Sequence, residues 1–191
     1  ERCAGPEKGT PRIDMIETIQ KIRAAFPNAV LNETFFRDEY SLTIALSSLR
    51  EICLHARDVL GFNYLIDVSS VDHFGEEPRF EMVYELAVVD DSKHLRVRAK
   101  VGEADEVPSM VDLWATADWH EREVFDMMGL RFKDHPNLKR ILMWEGYPFH
   151  PLRKEFPIEG IDTGAAIYPE RYESEAGPVA GVICQLGGQT P

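Results

Sequence analysis

Asp118, Glu121, Arg122, Glu123 and Asp126 crowd nine residues of the stretch D-W-H-E-R-E-V-F-D-M-M-G-L-R-F-K-D-H-P-N-L-K-R-I-L-M (118–143), with His120 among them. Carboxylates, a cation and an imidazole at such spacing are the materials of metal or acid–base chemistry. His120-Glu121 begins like the zinc-binding pattern H-E-x-x-H, but Val124 stands where the second histidine belongs. His120 and Glu123, one helical turn apart, would supply two metal ligands, and no third lies close in sequence. Glu121 and Glu123 are two apart and diverge on a helix, which does not suit a paired-carboxylate site. A small metal-dependent hydrolase using His120 and Glu123 is the catalytic alternative.

The same residues also make sense without chemistry. Asp118, Arg122 and Asp126 are four apart on one helical face and allow two i,i+4 ion pairs. Trp119, Phe125 and Met128 then point elsewhere, into a core. Gly129 is placed for a left-handed C-cap, with Leu130 supplying the hydrophobic contact beyond it. The pattern predicts a solvated or interface helix. His135 and His150 stand beside prolines and read as hydrogen-bonding groups, while His55 and His73 look incidental. No G-x-G-x-x-G, phosphate loop or G-x-S-x-G occurs, and Gly187-Gly188 reads as a flexible end.

The elements that must position this helix follow from periodicity. Residues 1–12 are a loose lead-in with two glycines and two prolines. Ile13 to Phe26 has helical apolar spacing and stops at Pro27. Tyr40, Leu42, Ile44 and Leu46 alternate with Ser41, Thr43 and Ala45, as in a half-buried strand. Ser48-Leu-Arg-Glu51 has capping-box spacing and opens a helix that ends at Gly61. Tyr64 to Val71 and Phe80 to Val89 predict strands, and Leu95, Val97, Ala99 and Val101 a return strand. The opposite face of that strand, Arg96, Arg98 and Lys100, reads as solvated. Ser109-Met-Val-Asp112 repeats the capping-box spacing, and a helical segment follows to about Met128. An antiparallel meander with helices is an α+β fold, mainly antiparallel sheet with helices on one side. Its domain spans 13–129. Beyond Gly129 the closely spaced prolines predict an extended arm and tail, 130–191, that docks on a partner.

The net charge of −12 argues against a nucleic-acid partner and against an anionic membrane surface. Apolar stretches are too short for membrane insertion. Cys3, Cys53 and Cys184 are widely separated, unlike a disulfide framework, zinc site or iron–sulfur site, and suggest a reducing compartment. Charge is also segregated: residues 101–127 carry eight acids against Arg122 alone, whereas 131–154 carry six basic residues against Asp134 and Glu145. The acidic balance returns in 155–191, and such blocks suit register with a complementary surface.

Glu121-Arg-Glu123, Asp126-Met-Met128, then His135, Lys139 and Ile141-Leu142 at fixed spacings resemble the signature of the 30-kilodalton subunit of respiratory complex I, the C subunit of bacterial NADH:quinone oxidoreductase. Pro151-Leu-Arg-Lys-Glu-Phe-Pro157 resembles the family's P-L-R-K-D-[FY]-P segment, and Asp67 to Asp72 (D-V-S-S-V-D) and Asp118-Trp119 resemble it upstream. The likeness covers roughly residues 40–160. It departs where M-W-E-G-Y-P-F-H replaces the usual P-x-D-W-x-G-x run before Pro151, and in the E-S-E-A-G-P-V tail.

The resemblance implies a scaffold in the peripheral, hydrophilic arm, packed against the 49-kilodalton (D) subunit near the quinone site. It implies no cofactor in this chain, with FMN and iron–sulfur clusters in partner subunits. The expected location is peripheral, on the cytoplasmic side of the bacterial inner membrane. Glu121, Arg122, Glu123, Asp126, His135, Lys139, Arg140, Arg153 and Lys154 would serve the folding and docking of the arm. Related subunits serve in membrane-bound hydrogenases and in ferredoxin- or F420-dependent quinone reductases, which share the docking role.

Overall fold

Alternating apolar residues along five strands build one sheet in the computed structural model, which describes residues 13–37, 39–89, 91 and 93–161. The strands are β1 (Val30–Phe36), β2 (Glu39–Ile44), β3 (Tyr64–Asp72), β4 (Phe80–Ala87) and β5 (His94–Val101), in the spatial order β1-β2-β5-β4-β3. Neighbours are antiparallel except β2 and β5, which run parallel. The readings for residues 1–12 and for 162–191, including Cys3, Cys184 and Gly187-Gly188, lie outside the described residues.

Because side chains alternate, one face of the sheet is apolar and the other charged. Leu42, Ile44, Phe80, Met82, Tyr84, Leu95, Val97 and Ala99 are fully or almost fully buried on the first. The larger aliphatic side chains and phenylalanine contribute about 1.5–3 kcal/mol each through burial. The helices pack on this face only: α1 (Ile13–Ala25) through Met15, Ile19 and Ile22, and α2 (Leu49–Asp58) through Leu49, Ile52, Cys53 and Ala56. The α+β architecture is the one expected.

Three local expectations differ from the structure, and one strand, β1, has no counterpart in the sequence periodicity. β1 has no alternating pattern, because V-L-N-E-T-F-F is an edge strand exposed along most of its length. Its pairing with β2 supplies what its sequence does not advertise. Ser48 does sit at the N-cap of α2, but its hydroxyl makes no capping bond. A 3-10 turn (Leu46–Ser48) precedes it, and at φ −104° and ψ 1° Ser48 lacks the extended geometry that aims a cap oxygen at the helix.

The segment after Pro108 is not helical at its start. It passes from β6 (Glu106–Pro108) through turns, and the helix α3 spans only Ala117–Met128. The reason is tertiary. β6 pairs in parallel with β7 (Arg131–Lys133), and the Ser109 N–H extends that ladder to the Lys133 carbonyl. Finally, Arg96, Arg98 and Lys100 are half-buried, not free in solvent. Arg96 pairs with Glu85 and Glu39, Arg98 with Glu81, and Lys100 with Glu76. The Arg96 and Arg98 pairs form cross-strand rungs on the sheet's polar face, and Lys100 reaches the turn between β3 and β4.

The polypeptide past Gly129 also folds back. One compact unit extends to Phe156, so residues 130–156, expected to belong to the arm, lie in the same unit as 13–129. Leu138 packs on the core and Tyr147 is buried. Residues 157–161 open a second unit, held by a turn from the Gly160 N–H to the Pro157 carbonyl.

Gly129 governs this return. It ends α3 in the left-handed region at φ 77°, and its N–H bonds the Phe125 carbonyl. A Cβ there would lie 2.6 Å from His150 Nε2 and 2.9 Å from Arg153 Nη2. Gly129→Ala is therefore expected to destabilise the chain by about 2–4 kcal/mol, combining left-handed strain with displaced side chains. Urea unfolding checks this value.

Candidate functional site

α3 carries two carboxylates that see no solvent. Glu121 and Asp126 are both 0 % exposed. The Glu121 carboxylate accepts the Ser109 hydroxyl and the Met110 N–H, each at 2.7 Å. The hydroxyl that the sequence suggests for capping is thus used across space, tying the β6–α3 turn to the helix. Burial pushes the Glu121 carboxyl up to about 7, against the pull of these two donors.

Asp126 has a richer set of donors. The backbone N–H groups of Ile141, Leu142 and Met143 converge on Oδ2 at 3.0, 2.7 and 2.8 Å, and Arg140 donates to Oδ1 at 2.5 Å. Burial alone would raise its pKa. The three N–H groups and the guanidinium overcome that and hold it below the usual carboxylate range.

The arginines do a parallel task with carbonyls. Arg122 donates to the Lys139 and Arg140 carbonyls, and its guanidinium lies over the Trp119 ring. Arg153 donates to the Met128 carbonyl at 2.7 Å and to Glu103 at 2.7 Å, and lies over Phe80. These bonds satisfy carbonyls at the helix end and in the loop beyond. The two i,i+4 pairs expected among Asp118, Arg122 and Asp126 are not formed, because stronger tertiary partners claim Arg122 and Asp126. Nor does Trp119 point into the core: it is 62 % exposed.

His135 and His150 act as the hydrogen-bonding groups expected of them. The His135 ring is completely buried, with Nδ1 accepting the Asn137 N–H at 3.0 Å. With Nδ1 accepting, Nε2 is the donor side of the ring, and it faces the Asp118 carbonyl at 3.3 Å and Glu121 at 3.9 Å. His150 Nδ1 meets the Asp126 carbonyl at 2.9 Å, and burial lowers its pKa. Lys139 contributes its carbonyl, and Lys154 its backbone N–H, which reaches Asp72 at 2.8 Å. Both side chains, like that of Glu123, are exposed.

That last bond leads to a centre that sequence reasoning missed. Asp72 is buried at the end of β3 and takes a two-pronged ion pair from Arg79, both bonds 2.8 Å. Arg79 also pairs with Glu155 and lies over the rings of Phe74 and Phe80. The Arg79 bonds, against burial, hold Asp72 below the usual carboxylate range. Asp72, Arg79 and Glu155 therefore join the P-L-R-K-E segment to the sheet. Their separation of up to 83 positions explains why no local pattern shows them. His73, read as incidental, lies 3.2 Å from Glu81.

The hydrolase alternative finds no geometry. His120 Nδ1 lies 3.1 Å from Asp67, Glu123 is exposed, and no group of three metal-ligating side chains occurs among the described residues. What the structure brings together is a set of charged groups that grip backbone. They tie together the elements of an α+β protein.

The family profile described as "Respiratory-chain NADH dehydrogenase, 30 Kd subunit" matches residues 42–162. The C subunit of NADH-quinone oxidoreductase from Citrifermentans bemidjiense is 43 % identical over 145 residues, covering 75 % of this chain and 90 % of that protein. Its counterpart, the C subunit from Geobacter sulfurreducens, is 39 % identical over 144 residues, 74 % and 89 % of the two chains. A chain in the structure of the membrane-bound sulfane sulfur reductase, an archaeal respiratory membrane complex, superposes with a TM-score of 0.66 at 20 % identity. It covers 75 % of this chain and 86 % of its own, and so shares the fold. The chain belongs to the 30-kilodalton subunit family of respiratory-chain NADH dehydrogenase. Within an enzyme complex it is an accessory subunit, not the bearer of an active site.

Two outcomes follow from the buried carboxylates. Asp126→Ala would leave three N–H groups and Arg140 without their acceptor, and is expected to cost about 3–5 kcal/mol in thermal or urea unfolding. For Glu121 the sign is opposite. The folded carboxyl keeps its proton to about pH 7, whereas the unfolded one releases it near 4.5. Between those values the unfolded chain binds fewer protons, so stability falls as pH rises and levels off above 7. Glu121→Gln is expected to abolish that decline, which is on the order of 3 kcal/mol. Unfolding curves of both proteins from pH 4 to 8 measure the difference.

Proposed function

We propose that this chain is the C-type subunit of a proton-pumping NADH:quinone oxidoreductase, packed in the hydrophilic arm against a 49-kilodalton-type subunit near the quinone site. The observation that carries the reading is the use of its charged residues. Asp72, Asp126, Arg79, Arg122, Arg140 and Arg153 hold the segment 138–156 on the α+β unit through side-chain and backbone bonds. The chain thereby presents an irregular but fixed surface, which is what a scaffold needs.

Electron transfer then belongs to neighbours. FMN and iron–sulfur clusters sit in partner subunits, and this chain holds none. No helix of the described residues is long and apolar enough to cross a membrane. Attachment through the partner subunits places the chain peripherally, on the cytoplasmic side of the bacterial inner membrane. The names of the relatives support the NADH-linked assignment. The fold shared with a chain of the sulfane sulfur reductase complex makes a sister complex, hydrogenase- or ferredoxin-linked, the second reading.

A tagged chain, extracted gently from its own membranes, tests both. Under the first reading it co-purifies with a 49-kilodalton-type subunit, iron–sulfur subunits and NADH:quinone reductase activity. Hydrogenase-type large subunits without NADH activity would transfer it to a sister complex. Recovery of the chain alone, in cells where it functions, would refute the scaffold assignment.

A further inference from the structure

The outer side of α3 and the loop that crosses it expose large apolar groups on a backbone that is held rigidly from beneath. Trp119 is 62 % exposed, Leu142 62 % and Trp144 45 %. They are linked through their supports. Arg122 lies over the Trp119 ring and bonds the Lys139 and Arg140 carbonyls. Two residues on, the Leu142 N–H is fixed to buried Asp126. Trp144 stacks edge-on against buried Tyr147, over which Arg140 lies. The exposed apolar area of the three is on the order of 300–400 Å², the size of a functional patch on a soluble protein.

Burial cannot be what keeps Leu142 in place, since its side chain is mostly in water. Three N–H groups bound to one buried carboxylate impose its position instead. A surface fixed before contact loses little conformational freedom on binding, which favours affinity. Charge adds register. Lys139 and Glu123 are exposed beside the patch, and neither side chain has a partner among the described residues. Arg122, Arg140 and Arg153 are engaged in bonds that hold the loop.

Resting on the proposed function, we infer that Trp119, Leu142 and Trp144 form the apolar centre of this protein's contact with a neighbouring subunit, one that sets a carboxylate against Lys139 and a basic group against Glu123. Two exposed tryptophans and a leucine are suited to anchor such a contact. Opposed charges at its rim fix orientation and make assembly sensitive to salt.

The experiment uses the full tagged chain in its native cell, with partner subunits per tagged chain quantified by mass spectrometry. Trp119→Ala combined with Leu142→Ser is expected to lower that ratio at least tenfold. Lys139→Glu is expected to lower it several-fold, more strongly as salt in the extraction buffer falls. Phe36→Ser, at another exposed apolar residue on edge strand β1, is expected to leave it unchanged. If the double variant does not accumulate, Lys139→Glu carries the test alone, because its side chain supports nothing in the fold. An unchanged ratio in Lys139→Glu and in the double variant would overturn the inference while leaving the scaffold assignment intact. Failure of the unmodified chain to recover any partner would overturn both.

Discussion

The carboxylate of Asp126, taken wholly out of water, is the interaction on which the rest of the structure depends. An isolated buried carboxylate is unfavourable by several kcal/mol, so it exists only where donors replace its hydration. Here the donors come from a loop with no secondary structure of its own. Ile141, Leu142 and Met143 turn their N–H groups to one oxygen, and Arg140 closes on the other. The cost of burying the charge and the cost of an unpaired loop backbone offset each other. Neither the helix nor the loop would be stable in this form alone.

The same exchange recurs at each end of the segment. Arg153 satisfies the carbonyl of Met128 at the α3 terminus, and Asp72 satisfies the N–H of Lys154 while pairing with Arg79. Arginine suits this role because its donors form a planar fork that stays charged when half-buried. Guanidinium groups also lie over the rings of Phe80, Trp119 and Tyr147, which adds cation–π attraction to the hydrogen bonds. A segment rich in proline, unable to pair as a strand, is thereby held without a ladder. Such a segment can follow the contour of a neighbour, which a regular sheet edge cannot.

Much of the site's chemistry resembles catalysis in type but not in geometry. Glu121 has a carboxyl displaced toward neutrality, a histidine 3.9 Å away and a serine hydroxyl at 2.7 Å. Glu121 and the His135 ring see no solvent, and Ser109 is 5 % exposed. Perturbed pKa values and polar clusters therefore mark a junction between elements here, and the family's role as an accessory subunit agrees with that.

The sequence by itself determined the sheet's core face, helices α1 and α2, the existence of α3 and its end at Gly129, because these follow from local periodicity and from a backbone position that favours glycine. It also carried the family, through motifs whose spacing survives in a linear string. Tertiary structure decided the partners of the charged residues. Asp126 could have paired with Arg122 four residues away, but the loop donors beyond Gly129 took it. Ser109 could have capped a helix, but the pairing of β6 with β7 placed its hydroxyl against Glu121. β1 became a strand only because β2 offered an edge. A polar group commits to whichever partner burial brings within about 3 Å, and that proximity is a property of the folded chain, not of neighbouring letters.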